Sequence, residues 1–161
     1  MITVSKLPQI KEIKNNDIFE IINYHSSKTH SFFKYPAKFI PEIPNWSIRN
    51  FSKKKDKILD CFAGSGTSLV EASFLERVPH AIDFDPLSQI ITKSKVNYLS
   101  IKNIKKIKSD LDSIVMKHNK PFIPEIPDIN KWFPEENIKS LGCIIVNINK
   151  YKKNNENIYN F

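Results

Sequence analysis

Two of the three glycines in this chain of 161 residues, Gly64 and Gly66, stand two positions apart. An apolar run, Ile58 to Phe62, leads into them, and helical spacing of Leu69, Val70, Ala72 and Leu75 follows. Strand, tight turn and helix in that order bring bare backbone N–H groups against a nucleoside-type ligand. Glycine suits such a turn because a Cβ blocks close approach and because the turn often needs positive φ. The next apolar stretch, His80-Ala81-Ile82-Asp83, ends on a carboxylate 17 residues beyond Gly66. That spacing is close to the roughly 20 residues expected for an acid that accepts from ribose hydroxyls.

The turn discriminates between cofactors. A dinucleotide fingerprint wants glycine or alanine where this chain has Leu69. A P-loop wants Gly-Lys-Ser/Thr, but Thr67 follows Gly66 directly. S-adenosylmethionine carries no phosphates, needs less room at the helix start, and matches a tight Gly-x-Gly turn followed by an acidic ribose ligand. Asp60 reads in two compatible ways, as a ligand to the cofactor's amino group or as a carboxylate bonding the turn's own N–H groups. Asp85, just before Pro86, reads as a helix cap.

Asp60-Cys61-Phe62-Ala63-Gly64-Ser65-Gly66-Thr67-Ser68 resembles the cofactor motif D-P-F-x-G-S-G-T-T of DNA methyltransferases that modify exocyclic amino groups. Cys61 replaces the usual proline and Ser68 the second threonine. His30-Ser31-Phe32-Phe33-Lys34-Tyr35-Pro36-Ala37-Lys38-Phe39-Ile40-Pro41 resembles the segment that precedes this motif and helps enclose the methionine end of the cofactor. Ala81-Ile82-Asp83-Phe84-Asp85-Pro86-Leu87 resembles the ribose-binding G-I-D/E-x-N/D-P. Three motifs in family order over residues 30–95 form a specific signal. The resemblance implies S-adenosyl-L-methionine as cofactor. It implies cofactor-binding roles for Tyr35, Lys38, Phe39, Asp60, Phe62, Ala63, Gly64, Ser65, Gly66, Thr67, Asp83 and Phe84. Apart from the resemblance, Lys38 reads as a solvated lysine, and the aromatic cluster Phe32, Phe33, Tyr35 and Phe39 as a loop pinned to the core.

These enzymes also carry a catalytic D/N/S-P-P-Y/F, whose first residue and proline carbonyl accept from the target amine while its ring stacks on the flipped base. The present sequence has no Pro-Pro pair, so no catalytic residue is assigned. It reads as the cofactor-binding half of a split, site-specific methyltransferase of cytosine-N4 or adenine-N6 type, in a restriction-modification system. A second subunit bearing the S/D/N-P-P-Y motif and double-stranded DNA are its expected partners. The other classes are a truncated, inactive remnant and a module that binds cofactor or partner without activity.

The elements needed to position these residues form an α/β pattern. The resemblance implies a partial Rossmann-like (class I methyltransferase) parallel sheet with flanking helices, the cofactor lying at the strands' carboxyl ends. Strands are expected at Ile58–Phe62 and Val78–Phe84, and helices at Asp17–Tyr24, Ile43–Phe51, from Gly66 to about Arg77, Leu87 to about Tyr98, and 103–118. Pro121, Pro124 and Pro127 predict an extended linker, and Pro134 opens a last helix. The tail from Tyr151 to Phe161 is expected to fray. With two or three strands, one sheet edge should be unpaired and apolar. The expected organisation is a helical lead-in over 1–29, an α/β cofactor core over 30–118, and a Pro-rich linker with C-terminal helix over 119–161.

Composition fits a globular protein, with 40% hydrophobic and 26% charged residues and a net charge of +8. No apolar stretch is long enough for a transmembrane helix, and the N-terminus lacks a signal peptide's apolar centre. Cys61 and Cys143 lack metal-ligand spacing and read as two reduced, buried thiols of a cytoplasmic protein; no metal is expected. Charge is uneven, at +5 over residues 1–56, −1 over 57–100 and +4 over 101–161. A slightly acidic core between basic flanks suits a cationic cofactor inside and a polyanion outside. Gene base composition, which enriches Lys, Asn and Ile together, accounts for the same excess without function.

Overall fold

The computed structural model describes residues 1–22, 28–36, 38–97, 99–114 and 120–154. The chain divides into two compact units, Met1–Val96 and Asn97–Phe161.

The first unit begins with strand β1 (Ile2–Val4), a 3-10 turn at Ile10–Glu12 and strand β2 (Phe19–Ile21). β1 and β2 pair in parallel, Ile2 opposite Phe19 and Val4 opposite Ile21. This corrects the helix expected from the spacing of Ile18, Phe19, Ile21 and Ile22. β-branched and aromatic residues take the extended form once a partner strand is available. Asn23 and Tyr24, the end of that expected helix, lie outside the described residues. Helices α1 (Lys28–Ser31) and α2 (Glu42–Phe51) follow.

The functional framework is β3 (Lys57–Asp60), α3 (Thr67–Phe74), β4 (Val78–Ala81) and α4 (Pro86–Val96). β3 and β4 are parallel, with Leu59 opposite His80 and Asp60 opposite Ala81. α3 makes the crossover that parallel pairing requires. Ile48 of α2 with Ala72 and Leu75 of α3 and its exit forms a buried cluster against Ile58 of β3. Pro79 has no N–H to donate and is tolerated because β4 is an edge strand among the described residues. Tyr98, the expected end of α4, lies outside the described residues.

Both strands end before their apolar runs do. Asp60 Oδ1 accepts from Phe62 N–H at 3.0 Å, which turns the chain out of β3. α3 stops at Phe74 because Glu76 takes left-handed backbone, φ +61°. The Arg77 N–H then reaches back to the Ala72 carbonyl at 2.8 Å, a Schellman-type ending without glycine. The Arg77 guanidinium donates to the Ser52 carbonyl at 2.7 Å and to Ser52 Oγ at 3.0 Å. A cation thus sits at the C-terminus of α2, where the helix dipole favours it. Leu59 and Val78 remain exposed on this two-stranded sheet, as does Ile82 just beyond β4.

The second unit holds α5 (Ile101–Ile114), the short α6 (Ile129–Trp132) and α7 (Glu135–Asn154). α5 packs on α7. Residues 115–119, the end of the expected 103–118 helix, lie outside the described residues, as does the tail from 155 on. The proline segment lies extended against α7, where the Phe122 N–H faces the Gly142 carbonyl at 3.4 Å. No described helix is long and apolar enough to cross a membrane.

Candidate functional site

The turn after β3 is built around its two glycines. Gly64 has φ +50° and Gly66 φ +75°, both in the left-handed region. Gly66 is the N-cap of α3, and its carbonyl accepts the first helical N–H, from Val70 at 3.0 Å. A Cβ on Gly66 would meet Thr92 of α4 at 2.9 Å, and one on Gly64 would meet the Tyr35 ring at 3.3 Å. The glycines therefore allow both the backbone path and the approach of neighbours on each side. Thr92 Oγ1 donates to the Gly64 carbonyl at 3.1 Å, and Lys95 Nζ to the Ser65 carbonyl at 2.8 Å. Burial, with the Lys38 ammonium adding to it, pushes the Lys95 ammonium down to about 8.

Asp83 leaves the end of β4 and bonds across to this turn. Its Oδ2 accepts from Gly64 N–H at 2.6 Å and its Oδ1 from Asp85 N–H at 2.8 Å. Those donors, Asp85 N–H foremost, hold its carboxyl below the ordinary carboxylate range. Asp85 caps α4 as its position before Pro86 predicts, accepting from Leu87 N–H at 3.0 Å and Ser88 Oγ at 3.1 Å. Of the two readings of Asp60, the structure displays the bond to its own turn.

A cavity of about 340 Å³ opens above the turn. Tyr35, Lys38 and Phe39 line it from the N-terminal side; Asp60, Phe62, Ala63, Gly64, Ser65 and Thr67 form its floor, and Asp83 its far wall. Ten of the twelve residues singled out from the sequence thus meet at one place. Gly66 lies behind the floor, buried against Thr92. Phe84 is fully exposed and does not line the cavity. Ala37, next to Lys38 in the chain, is outside the described residues. A second cavity of about 300 Å³ shares Ala63 and Asp83 and continues along Ala81, Ile82, Ser88 and Gln89. Asp83 is therefore accessible from two clefts.

Several supporting residues escaped the sequence reading. His30 and Glu71 form a buried pair, Nε2 to Oε1 at 2.6 Å, and Asn45 Nδ2 donates to Glu71 Oε2 at 2.6 Å. Lys38, a residue of the cavity lining, donates from its ammonium to the His30 carbonyl at 2.8 Å. Ser88, Thr92 and Lys95 recur on α4 at helical spacing, a polar stripe where an apolar one would be expected, and that was the available signal. Cys61 is a correction: it is exposed in the turn after β3, because the strand ends one residue before it, whereas Cys143 is buried. Among the described residues no cluster of His, Cys, Asp or Glu could hold a metal ion.

A family model described as DNA methylase matches residues 4–86. The chain is 31% identical over 150 residues to the type II methyltransferase M.MvaI of Kocuria varians, covering 85% of this chain and 33% of the relative. It is 28% identical over 121 residues to the type II methyltransferase M.MjaII of Methanocaldococcus jannaschii, covering 75% of this chain and 21% of the relative. The chain thus spans a third or less of the length of these relatives. Among solved structures, PvuII DNA methyltransferase (cytosine-N4-specific) matches with a TM-score of 0.45 and 20% identity, over 63% of this chain and 39% of that one.

Proposed function

Because this chain belongs to the DNA methylases that act on exocyclic amino groups, we propose that its cavity binds S-adenosyl-L-methionine and supplies the cofactor half of a cytosine-N4 or adenine-N6 methyltransferase. The observation that carries this is the meeting of Asp83 with the left-handed Gly64 turn at one wall of the 340 Å³ cavity. The residues present fit the cofactor. Gly64 leaves bare backbone at the floor, and a Cβ there would crowd the Tyr35 ring. Asp83 has two of its roughly four acceptor positions taken by N–H groups, which leaves the others for ribose hydroxyls. The Lys38 ammonium would balance the methionine carboxylate, while Tyr35, Phe39 and Phe62 offer apolar surface that keeps water from the sulfonium end. When bound, the cofactor supplies an electrophilic methyl group to a nucleophilic amine.

The chain's own contribution is to bind and orient. No Pro-Pro pair occurs in the sequence, so the group that accepts from the target amine comes, in this reading, from a second subunit carrying S/D/N-P-P-Y. In this reading that subunit completes a partial Rossmann-like sheet at the open edges of β3–β4. The basic flanks add contacts to the DNA backbone that are weak, sequence-blind and salt-dependent. The type II relatives favour a restriction-modification setting. Two measurements test this. Calorimetry of the chain with S-adenosylmethionine should give one-to-one binding, and no heat with or without the partner counts against the cofactor site. A radiolabelled methyl-transfer assay on mixed-sequence duplex DNA should show turnover only with both chains. Turnover by this chain alone would sink the split-enzyme reading.

A further inference from the structure

We propose that the Tyr35 hydroxyl is a positioning group for the ribose-binding carboxylate, setting Asp83 through Ser88 and Asp85; this rests on the cofactor reading of the cavity. The direction of the hydrogen bonds follows from the proton count. Ser88, fully buried at 0% exposure, has one hydroxyl hydrogen, and its Oγ lies 3.1 Å from Asp85 Oδ2. A carboxylate only accepts, so Ser88 donates there. The Tyr35 hydroxyl, 2.7 Å from Ser88 Oγ, is then the donor to Ser88. Asp85, held by Ser88 and by Leu87 N–H, turns its own N–H onto Asp83 Oδ1 at 2.8 Å. Gly64 N–H takes Asp83 Oδ2 at 2.6 Å, and the Tyr35 ring stands over Gly64.

The result is a closed circuit through the segment before α2, the glycine turn, the end of β4 and the start of α4. Packing over Gly64 needs only a ring, which phenylalanine would supply. The hydroxyl does something packing does not: it ties the wall of the cavity to the cap of α4, and the cap fixes one of the two N–H donors that orient Asp83. Which lone pairs of Asp83 remain for a ligand is therefore set partly by a residue 48 positions away in sequence.

The test uses the intact chain and its Tyr35→Phe, Ser88→Ala and double variants. The Gly64 amide in proton–nitrogen spectra reports the titration of Asp83, and the same spectra report folding. In each single variant the midpoint seen at Gly64 should rise toward the ordinary carboxylate range, and the double variant should add nothing. S-adenosylhomocysteine affinity should fall about 3–10-fold in each, the loss of one ordinary hydrogen bond. Affinity for its 2′,3′-dideoxy analogue should fall by a smaller factor than affinity for S-adenosylhomocysteine itself. A midpoint unmoved by both variants overturns the coupling, and equal losses for the two nucleosides overturn its link to ribose. A wild-type chain that binds neither nucleoside, yet keeps a Tyr35-dependent midpoint, overturns the cofactor assignment while the coupling stands.

Discussion

The Gly64 N–H donates to Asp83 Oδ2 at 2.6 Å, so the glycine turn and the end of β4 are joined by a charge-assisted bond across 19 residues of sequence. One carboxylate thus shapes the turn and, in the proposed function, holds the ribose. Asp83→Ala should lower S-adenosylmethionine affinity about 10–100-fold, as expected for hydrogen bonds to a charged acceptor. Asp83→Asn should lose less, because an amide oxygen still accepts from Gly64. Calorimetry on the three proteins checks the order; equal affinities would remove Asp83 from the site.

Gly66 and Gly64 should not tolerate alanine equally. At Gly66 the φ of +75° combines with a Cβ placed 2.9 Å from Thr92 Oγ1 and 3.0 Å from Thr92 Cγ2, on a helix that cannot easily move. At Gly64 the nearest atom is 3.3 Å away on the Tyr35 ring. Gly66→Ala is expected to cost about 2–3 kcal/mol, strain plus overpacking, and Gly64→Ala about 1 kcal/mol. Urea unfolding of both variants measures this. A larger loss at Gly64 would mean that the Tyr35 ring is fixed more firmly than α4.

Lys95 gives stability a pH dependence of definite sign. Its folded value of about 8 lies below the ordinary 10.5. Between those values the unfolded chain binds more protons than the folded one, so stability rises with pH across that window. Below about pH 8 the half-buried ammonium is charged in both states and its desolvation is a constant cost. Lys95→Met should remove the rise and make the protein less pH-sensitive from about 8 to 10.5. Unfolding midpoints of both proteins over that range test it; parallel curves would place the Lys95 ammonium in ordinary solvent.

The glycine turn, Asp83 and the α4 cap were legible in sequence because each rests on residues close together in the chain. Strand lengths were overestimated, since Phe62, Ile82 and Phe84 are apolar yet belong to loops that Asp60 and Asp83 turn with their own carboxylates. The early end of α3 was hidden because Glu76, not a glycine, takes the left-handed position. β1 and β2 were illegible as three-residue strands that exist only through each other. The Tyr35–Ser88 and His30–Glu71 bonds join residues 53 and 41 positions apart and leave no local pattern. Their residue types were visible, but their partners are set by how α1, α3 and α4 pack.

The His30–Glu71 pair should carry much of the anchoring of the cavity's N-terminal wall. His30 is 2% and Glu71 7% exposed, and the carboxylate has a donor on each oxygen, His30 on one and Asn45 on the other. A carboxylate only accepts, so His30 Nε2 carries a hydrogen and donates it to Glu71, while Nδ1 has no partner among the described residues. His30→Leu deletes that donor and leaves a buried carboxylate half-satisfied, at an expected cost of about 3 kcal/mol. Glu71→Gln should cost less, about 1–2 kcal/mol. Its oxygen still accepts from one of the two donors, but the ring can accept from its NH2 only by moving its hydrogen to Nδ1, which is buried and has no partner there. His30→Leu with Glu71→Leu together should recover most of the loss, because no unpaired charge remains. Unfolding free energies of these variants form the test. If Glu71→Gln costs as much as His30→Leu, the penalty comes from packing around α1 and not from the buried carboxylate.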